Sequence, residues 1–305
     1  MSWPTIWAAV VEYGTLLVNG LSLEGVGQVG FDEHRWRDAW PEEKWAMVVR
    51  DLAAGRVVDV LQGRSSQGIS AFLDAHDPDV LAAVEVVSFD PWRGYLRPVR
   101  THLPGARIVL DCFHVIRLAN QVVTEVRRRT QWEILGRRGR KGDPLYGIRH
   151  TLLKARERLT ERDHQRLTAA WTHPDGDRWD EVRCAWWTKE HLRDVYGAST
   201  VAEARRRLDV FYAWADEVNI DEVSRLARTV RLWEPEILAY HTTGGVSNGR
   251  TEAFNLIIEK LRRLGHGYRS FTNYRLRLLL HTAVRWHTPP TVKIRARTRR
   301  PPMIA

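Results

Sequence analysis

Cysteine is nearly absent: Cys112 and Cys184 are the only two in 305 residues. Two thiols cannot build a disulfide framework or a cysteine-only zinc site, so each reads as a core thiol. Long apolar runs are also missing, and Met1-Ser2-Trp3-Pro4 lacks the charged and apolar regions of a secretory leader. Membrane and secreted classes are therefore set aside and a cytoplasmic protein is expected. The third shortage is local. From Lys260 to the end there are 12 Lys or Arg and no Asp or Glu. The remainder holds 35 basic against 37 acidic residues, so the whole surplus behind the net charge of +10 lies in the last 46 residues. Such asymmetry points to a polyanion, most simply nucleic acid. The 44% hydrophobic content is that of an ordinary folded chain.

Apolar spacing between Trp3 and Asn19 predicts a short helix closed by Gly20. Strand patterns follow over Gly27 to Arg35, Trp45 to Leu52 and Arg56 to Gln62, with Ala53-Ala54-Gly55 suited to a hairpin loop. A helix capped by Ser65 or Ser66 comes next, then the strand Val84 to Phe89. A helix from about Trp92 to Leu103 leads to the strand Ala106 to Asp111. The series β-β-β-α-β-α-β, an antiparallel meander followed by right-handed crossovers, predicts an α/β fold (mixed α+β) with a ribonuclease-H-like core and a mixed five-stranded sheet. From about Phe113 to Tyr240 only helical periodicity remains, with seven of the chain's 14 Trp, and breaks are expected at 136–142, 173–177, near Gly197 and near Pro235. This stretch reads as a large all-helical insertion. A loop over 241–250 then precedes a helix carrying Ile257, Ile258 and Leu261, and a last helix runs from about Thr272 to Trp286.

Two strands end in carboxylates. Pro91 stops the fourth strand directly after Asp90, at the C-terminal edge where open sheets place ligands. If that strand lies beside the first, Asp32 and Asp90 are neighbours. Glu252 opens the helix beyond the insertion and can supply a third carboxylate. Phosphodiester chemistry needs a generated nucleophile and stabilised negative charge, and a pair of hard divalent ions held by a few carboxylates supplies both.

Four ordered blocks are similar to one known family: Gly30-Phe31-Asp32-Glu33-His34-Arg35-Trp36-Arg37, Ser88-Phe89-Asp90-Pro91-Trp92, Ile108-Val109-Leu110-Asp111-Cys112-Phe113-His114-Val115 and Ser247-Asn248-Gly249-Arg250-Thr251-Glu252-Ala253-Phe254-Asn255. From about Val26 to Arg285 the chain resembles the ISL-three family of insertion-sequence transposases. The resemblance implies a DDE transposase, a metal-dependent polynucleotidyl transferase that cleaves and transfers DNA strands. It places the catalytic, metal-holding triad on Asp32, Asp90 and Glu252 and implies Mg²⁺, with Mn²⁺ as substitute. Double-stranded DNA, as transposon ends and target, is the implied partner. A homodimer or larger assembly is implied when active, in the cytoplasm at the nucleoid. Family members usually begin with a cysteine-rich zinc ribbon and a helix-turn-helix. Here only the first helix stands in that place, so no zinc is expected. A nuclease that does not join strands, and an inactive DNA-binding relic, stay open as alternatives.

The expected organisation is an N-terminal helix over 1–24, the core over 25–135 and 241–287, a helical insertion over 136–240 and a basic tail over 288–305. Glu33 is a rival to Asp32, but strand alternation puts the two on opposite faces. Asp111 also ends a strand and is a rival to Asp90. His114, three residues on, belongs to the rim, where a structural hydrogen bond is the commoner role. Asn248 and Arg250 are candidates for phosphate contact near the site, Asn248 being also a natural helix cap. Arg262, Arg263, Arg269, Arg275 and Arg277 are the candidate DNA-backbone contacts.

Overall fold

The computed structural model describes residues 2–37, 44–247 and 251–284; for 251–253 and 255 it describes the backbone alone. Helix α1 (Trp3–Val18) leads into β1 (Gln28–Arg35), β2 (Trp45–Asp51) and β3 (Arg56–Gln62). The turn between β2 and β3 places Gly55 at φ +64°, a left-handed conformation that glycine adopts without a side-chain clash. Ser65 caps α2 (Ser66–Asp74) by accepting from the Gly68 N–H at 3.1 Å. After α3 (Pro78–Ala82), β4 (Val86–Phe89), α4 (Leu96–His102) and β5 (Arg107–Leu110) complete the sheet. Its order is β3-β2-β1-β4-β5, antiparallel through the first three strands and parallel from β1 to β4 to β5. This is the mixed five-stranded, ribonuclease-H-like arrangement expected from the pattern of elements. The helix expected from Trp92 opens instead as a single 3₁₀ turn over Arg93–Tyr95, because Trp92 itself is extended at φ −118°, ψ 109°.

Helix α5 (Cys112–Leu135) is 24 residues long and reaches away from the sheet. It is followed by α6 (Pro144–Gly147), α7 (Glu161–Thr172), α8 (Glu181–Tyr196), α9 (Val201–Val218), α10 (Asp221–Leu232) and α11 (Glu234–Thr242). The breaks fall where glycine and proline predicted them. Two further breaks were not expected: 148–160, between α6 and α7, holds only the 3₁₀ turn Arg156–Arg158, and between α9 and α10 Asn219 stands at φ +48°, ψ 45°, a left-handed helix end that asparagine tolerates. α12 (Thr251–Leu264) and α13 (Phe271–Thr282) close the described chain, α13 ending at Thr282 rather than near Trp286.

The two faces of the sheet bury different partners, as alternation along each strand requires. Phe31, Met47, Val49, Val87, Phe89 and Leu110 face one large core that continues through Val115, Val122 and Val126 of α5 into Val182, Leu208 and Val223 of the helical region. The helical region and the sheet thus share one hydrophobic interior. Ala46, Val48 and Val60 face the other way, against Ile258 and Leu261 of α12 and Tyr274, Leu276 and Leu279 of α13. α1 lies on α13, where Gly14 is buried: a Cβ there would sit 2.9 Å from Leu280 Cδ1.

Candidate metal centre

Register alone assembles the carboxylates. Gly30 of β1 is paired with Ser88 of β4, and Ser88 with Val109 of β5. Two residues further along each strand stand Asp32, Asp90 and Asp111. The pleat points every second side chain the same way, so this row shares one face at the C-terminal edge. Asp32 lies within β1 opposite Val48 and is 4% exposed; Asp111 is 2% exposed. Asp111 also caps α5, accepting from the Phe113 N–H at 3.2 Å, and so fixes the helical turn that carries His114. The ligand atoms of Asp32, Asp90 and His114 all lie within 4.8 Å of one another. His114 Nδ1 is ion-paired with Asp90 Oδ1.

Among the described residues, three carboxylates, Asp32, Asp90 and Asp111, stand here with His114 and Arg50. Burial pushes the Asp111 carboxyl up to about 6; His114 and the Phe113 N–H oppose this, while Asp90 and Asp32 reinforce it. Burial pulls on the His114 imidazole in the opposite sense, but Asp90, Asp111 and Asp32 outweigh it and hold its pKa above the ordinary value. The nearby arginine is Arg50 of β2, 4% exposed; burial lowers it to about 10 against the stabilising charge of Asp32. Buried carboxylates gathered at one edge, all hard oxygen donors, suit a divalent ion, and His114 adds a borderline nitrogen.

Glu33 points to the opposite face. It accepts the Tyr95 hydroxyl and pairs with Arg64 at 3.7 Å, and burial raises its pKa although Tyr95 opposes. Asp32 and Glu33 are thus separated by the sheet, as alternation demands. Glu252 falls in the first turn of α12, its side chain outside the described part. Phe254, two residues on, has its ring 4.9 Å from the guanidinium carbon of Arg50, and Ile258 and Leu261 are buried on the Val48 face. The helix bearing Glu252 therefore lies on the same face as Asp32. Asn248 and Arg250 lie outside the described residues.

Among the arginines named from sequence, Arg262, Arg263 and Arg269 line a cleft of about 650 Å³ with Trp36, Arg37 and Tyr268. Arg262 and Arg263 both pair with Glu259, at 2.8 and 3.1 Å. Arg275 is bound to Asp59 at 2.6 Å on the β3 side, and Arg277 is exposed. Sequence reading did not single out Arg50. Its only signal is a lone arginine in the apolar run Met47-Val48-Val49, two positions from the residue paired with Asp32. It also left His114 at the rim, although a cap three residues before a histidine turns that side chain back toward the capping strand.

Residues 29–278 match the profile of the DDE_Tnp_ISL3 family, described as a transposase. A transposase for insertion sequence element IS1557 from Mycobacterium tuberculosis is 28% identical over 292 residues, covering 88% of this chain and 63% of that protein. A transposase for insertion sequence element IS1001 from Bordetella parapertussis is 24% identical over 233 residues, 74% of this chain and 54% of that protein. The chain thus spans less than two thirds of the length of either relative. Among the described residues, no helix is long and apolar enough to cross a membrane.

Proposed function

Because the chain belongs to the DDE_Tnp_ISL3 transposase family, we propose that it is the catalytic unit of an insertion-sequence transposase that cuts and joins DNA strands. The observation that carries this reading is the adjacency of Asp32 and Asp90 in matching register, with ligand atoms gathered within 4.8 Å. Asp32, Asp90 and Glu252 would hold divalent metal, Mg²⁺ in our reading with Mn²⁺ as substitute. Bound there, the metal supplies charge neutralisation at the scissile phosphate and lowers the pKa of the attacking water or 3′-hydroxyl.

The chain's own residues do the positioning. Arg50 balances Asp32 from β2, and His114 fixes the orientation of the Asp90 carboxylate. Asp111 fixes His114 by capping its turn. α12 brings Glu252 over the Asp32 face. Arg262, Arg263, Arg269, Arg275 and Arg277 are in this reading the nearby DNA-backbone contacts, with Arg269 and Arg277 exposed and, among the described residues, not tied to a carboxylate. Asn248 and Arg250 would contact phosphate beside Glu252, and Glu33 acts through Tyr95 and Arg64 on the far face. Residues 136–240 form the helical insertion between the two parts of the core. The active assembly holds two DNA ends, so it is at least a homodimer, at the nucleoid.

Purified chain incubated with DNA in Mg²⁺ or Mn²⁺ tests this reading. We expect cleaved and joined products that disappear in Asp32→Ala, Asp90→Ala and Glu252→Ala. Cut but never joined DNA would make it a nuclease. Metal-independent binding with no cleavage in the parent would make it an inactive DNA-binding relic.

A further inference from the structure

Helix α5 begins at the carboxylate cluster and ends in its electrostatic opposite. Near its C-terminal end lies a cavity of about 540 Å³ lined by Arg127, Arg128, Arg138 and Arg149, with Trp132 and Tyr146 in its wall. Among the described residues, none of these four guanidinium groups has a carboxylate within 4 Å. Arg127 is only 6% exposed, and its bonded side-chain partner is the neutral Gln131 oxygen, at 3.1 Å. Arg128 and Arg149 add repulsion to the burial that lowers its pKa. Arg149 is held in place, with its guanidinium carbon 4.1 Å from the Tyr146 ring centre and Nη1 donating to the Tyr146 carbonyl at 3.0 Å. Trp132 stands 57% exposed beside them.

The contrast is with a neighbour on the same helix. Arg129, the next residue along, is bonded to Glu133, Glu181 and Glu222. A buried cation without a counter-charge costs folding free energy unless an anion arrives from outside. Guanidinium groups match phosphate oxygens in forked pairs, and an exposed indole offers a face for sugar or base.

We propose that this cavity is a second DNA-backbone site, seating phosphates of the same duplex that enters the carboxylate cluster. It rests on the reading of the chain as a DNA-processing enzyme. The helix sets the spacing: 13 residues from His114 to Arg127 correspond to about 20 Å of rise. Along a DNA strand that is roughly six nucleotides at about 3.4 Å each. The seated phosphates therefore lie about half a helical turn of DNA from the scissile bond.

The test is duplex binding by the full chain in EDTA, where no cleavage occurs, followed by fluorescence anisotropy from roughly 50 to 300 mM salt. Each lost phosphate contact lowers the slope of log K against log salt by about 0.9, so Arg128→Ala/Arg149→Ala should lower it by about 1.8. Affinity near 0.15 M salt should fall tenfold or more, on the order of a pair of charge-assisted contacts. Arg127→Met should weaken binding similarly while its Tm stays level or rises, since a buried uncompensated charge is removed. That split separates a binding role from a folding role. An unchanged slope in both variants, or a Tm rise of the parent with inorganic triphosphate and no DNA effect of the variants, would overturn this second site alone. A parent with no salt-sensitive duplex binding would overturn both this site and the transposase reading.

Discussion

Two of the places where charged side chains leave water have opposite outcomes. In the helical region, Lys189 and Glu190 are both fully buried and pair at 2.5 Å. Lys189 Nζ also donates to the carbonyls of Leu152 and Lys154 at 2.8 and 2.7 Å, and Arg193 reaches Glu190 at 2.6 Å. Burial lowers the Lys189 pKa, opposed by Glu190. Every charge there is answered from within, so the network clamps the 148–159 stretch onto α8. At the sheet edge, Asp32, Asp90 and Asp111 stand together with Arg50 and His114, and burial drives Asp111 up to about 6. The first cluster is matched from within, whereas the second gathers Asp32, Asp90 and His114 in a geometry that could hold a metal ion. The arginine cavity at the far end of α5 is the same lesson with the sign reversed.

The contrast can be broken by substitution, and the largest effect belongs to the sheet edge. Asp90→Ala should leave the fold standing and lower DNA cleavage by about 10⁴-fold or more, roughly 5 kcal/mol of transition-state stabilisation, measured on labelled duplex in Mn²⁺. The clamp should respond in stability instead. Lys189→Met leaves Glu190 in the interior with one cation fewer, and urea unfolding should show a loss of about 3–5 kcal/mol. A loss under about 1 kcal/mol would mean the clamp tolerates imbalance as the sheet edge does.

Asp111→Asn sharpens the comparison through pH. The folded pKa of Asp111, about 6, lies above its ordinary 3.8. The folded state therefore holds more protons between those values and loses stability as pH rises through that window. Asparagine caps helices well and carries no charge. In EDTA the variant should gain about 2–3 kcal/mol over the parent at pH 8 and nothing near pH 4, read by unfolding at each pH. A pH-independent difference would remove the crowding of charge from the account. The smallest effect is reserved for the surface: Arg263→Ala, whose Glu259 pair is exposed, should change stability by less than about 0.5 kcal/mol.

Much of this was legible in the chain. The strands announced themselves through β-branched alternation, and Pro91 after Asp90 and the strand ending at Asp111 marked the ends that deliver the carboxylates. Opposite faces for Asp32 and Glu33 followed from a period of two. What could not be read depends on contacts between residues distant in sequence. Arg50 matters because β2 lies against β1 and carries it past Asp32. His114 meets Asp90 because β4 sits between β1 and β5, which puts Asp90 under the first turn of α5. The break at Asn219 was within reach, since asparagine tolerates a left-handed helix end, but no glycine or proline advertised it. Glu252 is the reverse case: its sequence block resembles the family pattern, while the structure describes its backbone and not its side chain.

Anomalous diffraction from crystals of the chain grown with Mn²⁺ tests the central claim most directly. The account predicts manganese at the C-terminal sheet edge, within about 2.0–2.3 Å of carboxylate oxygens from Asp32, Asp90 and Glu252. Manganese absent from that edge, or bound there with Glu252 turned away from it, would contradict it.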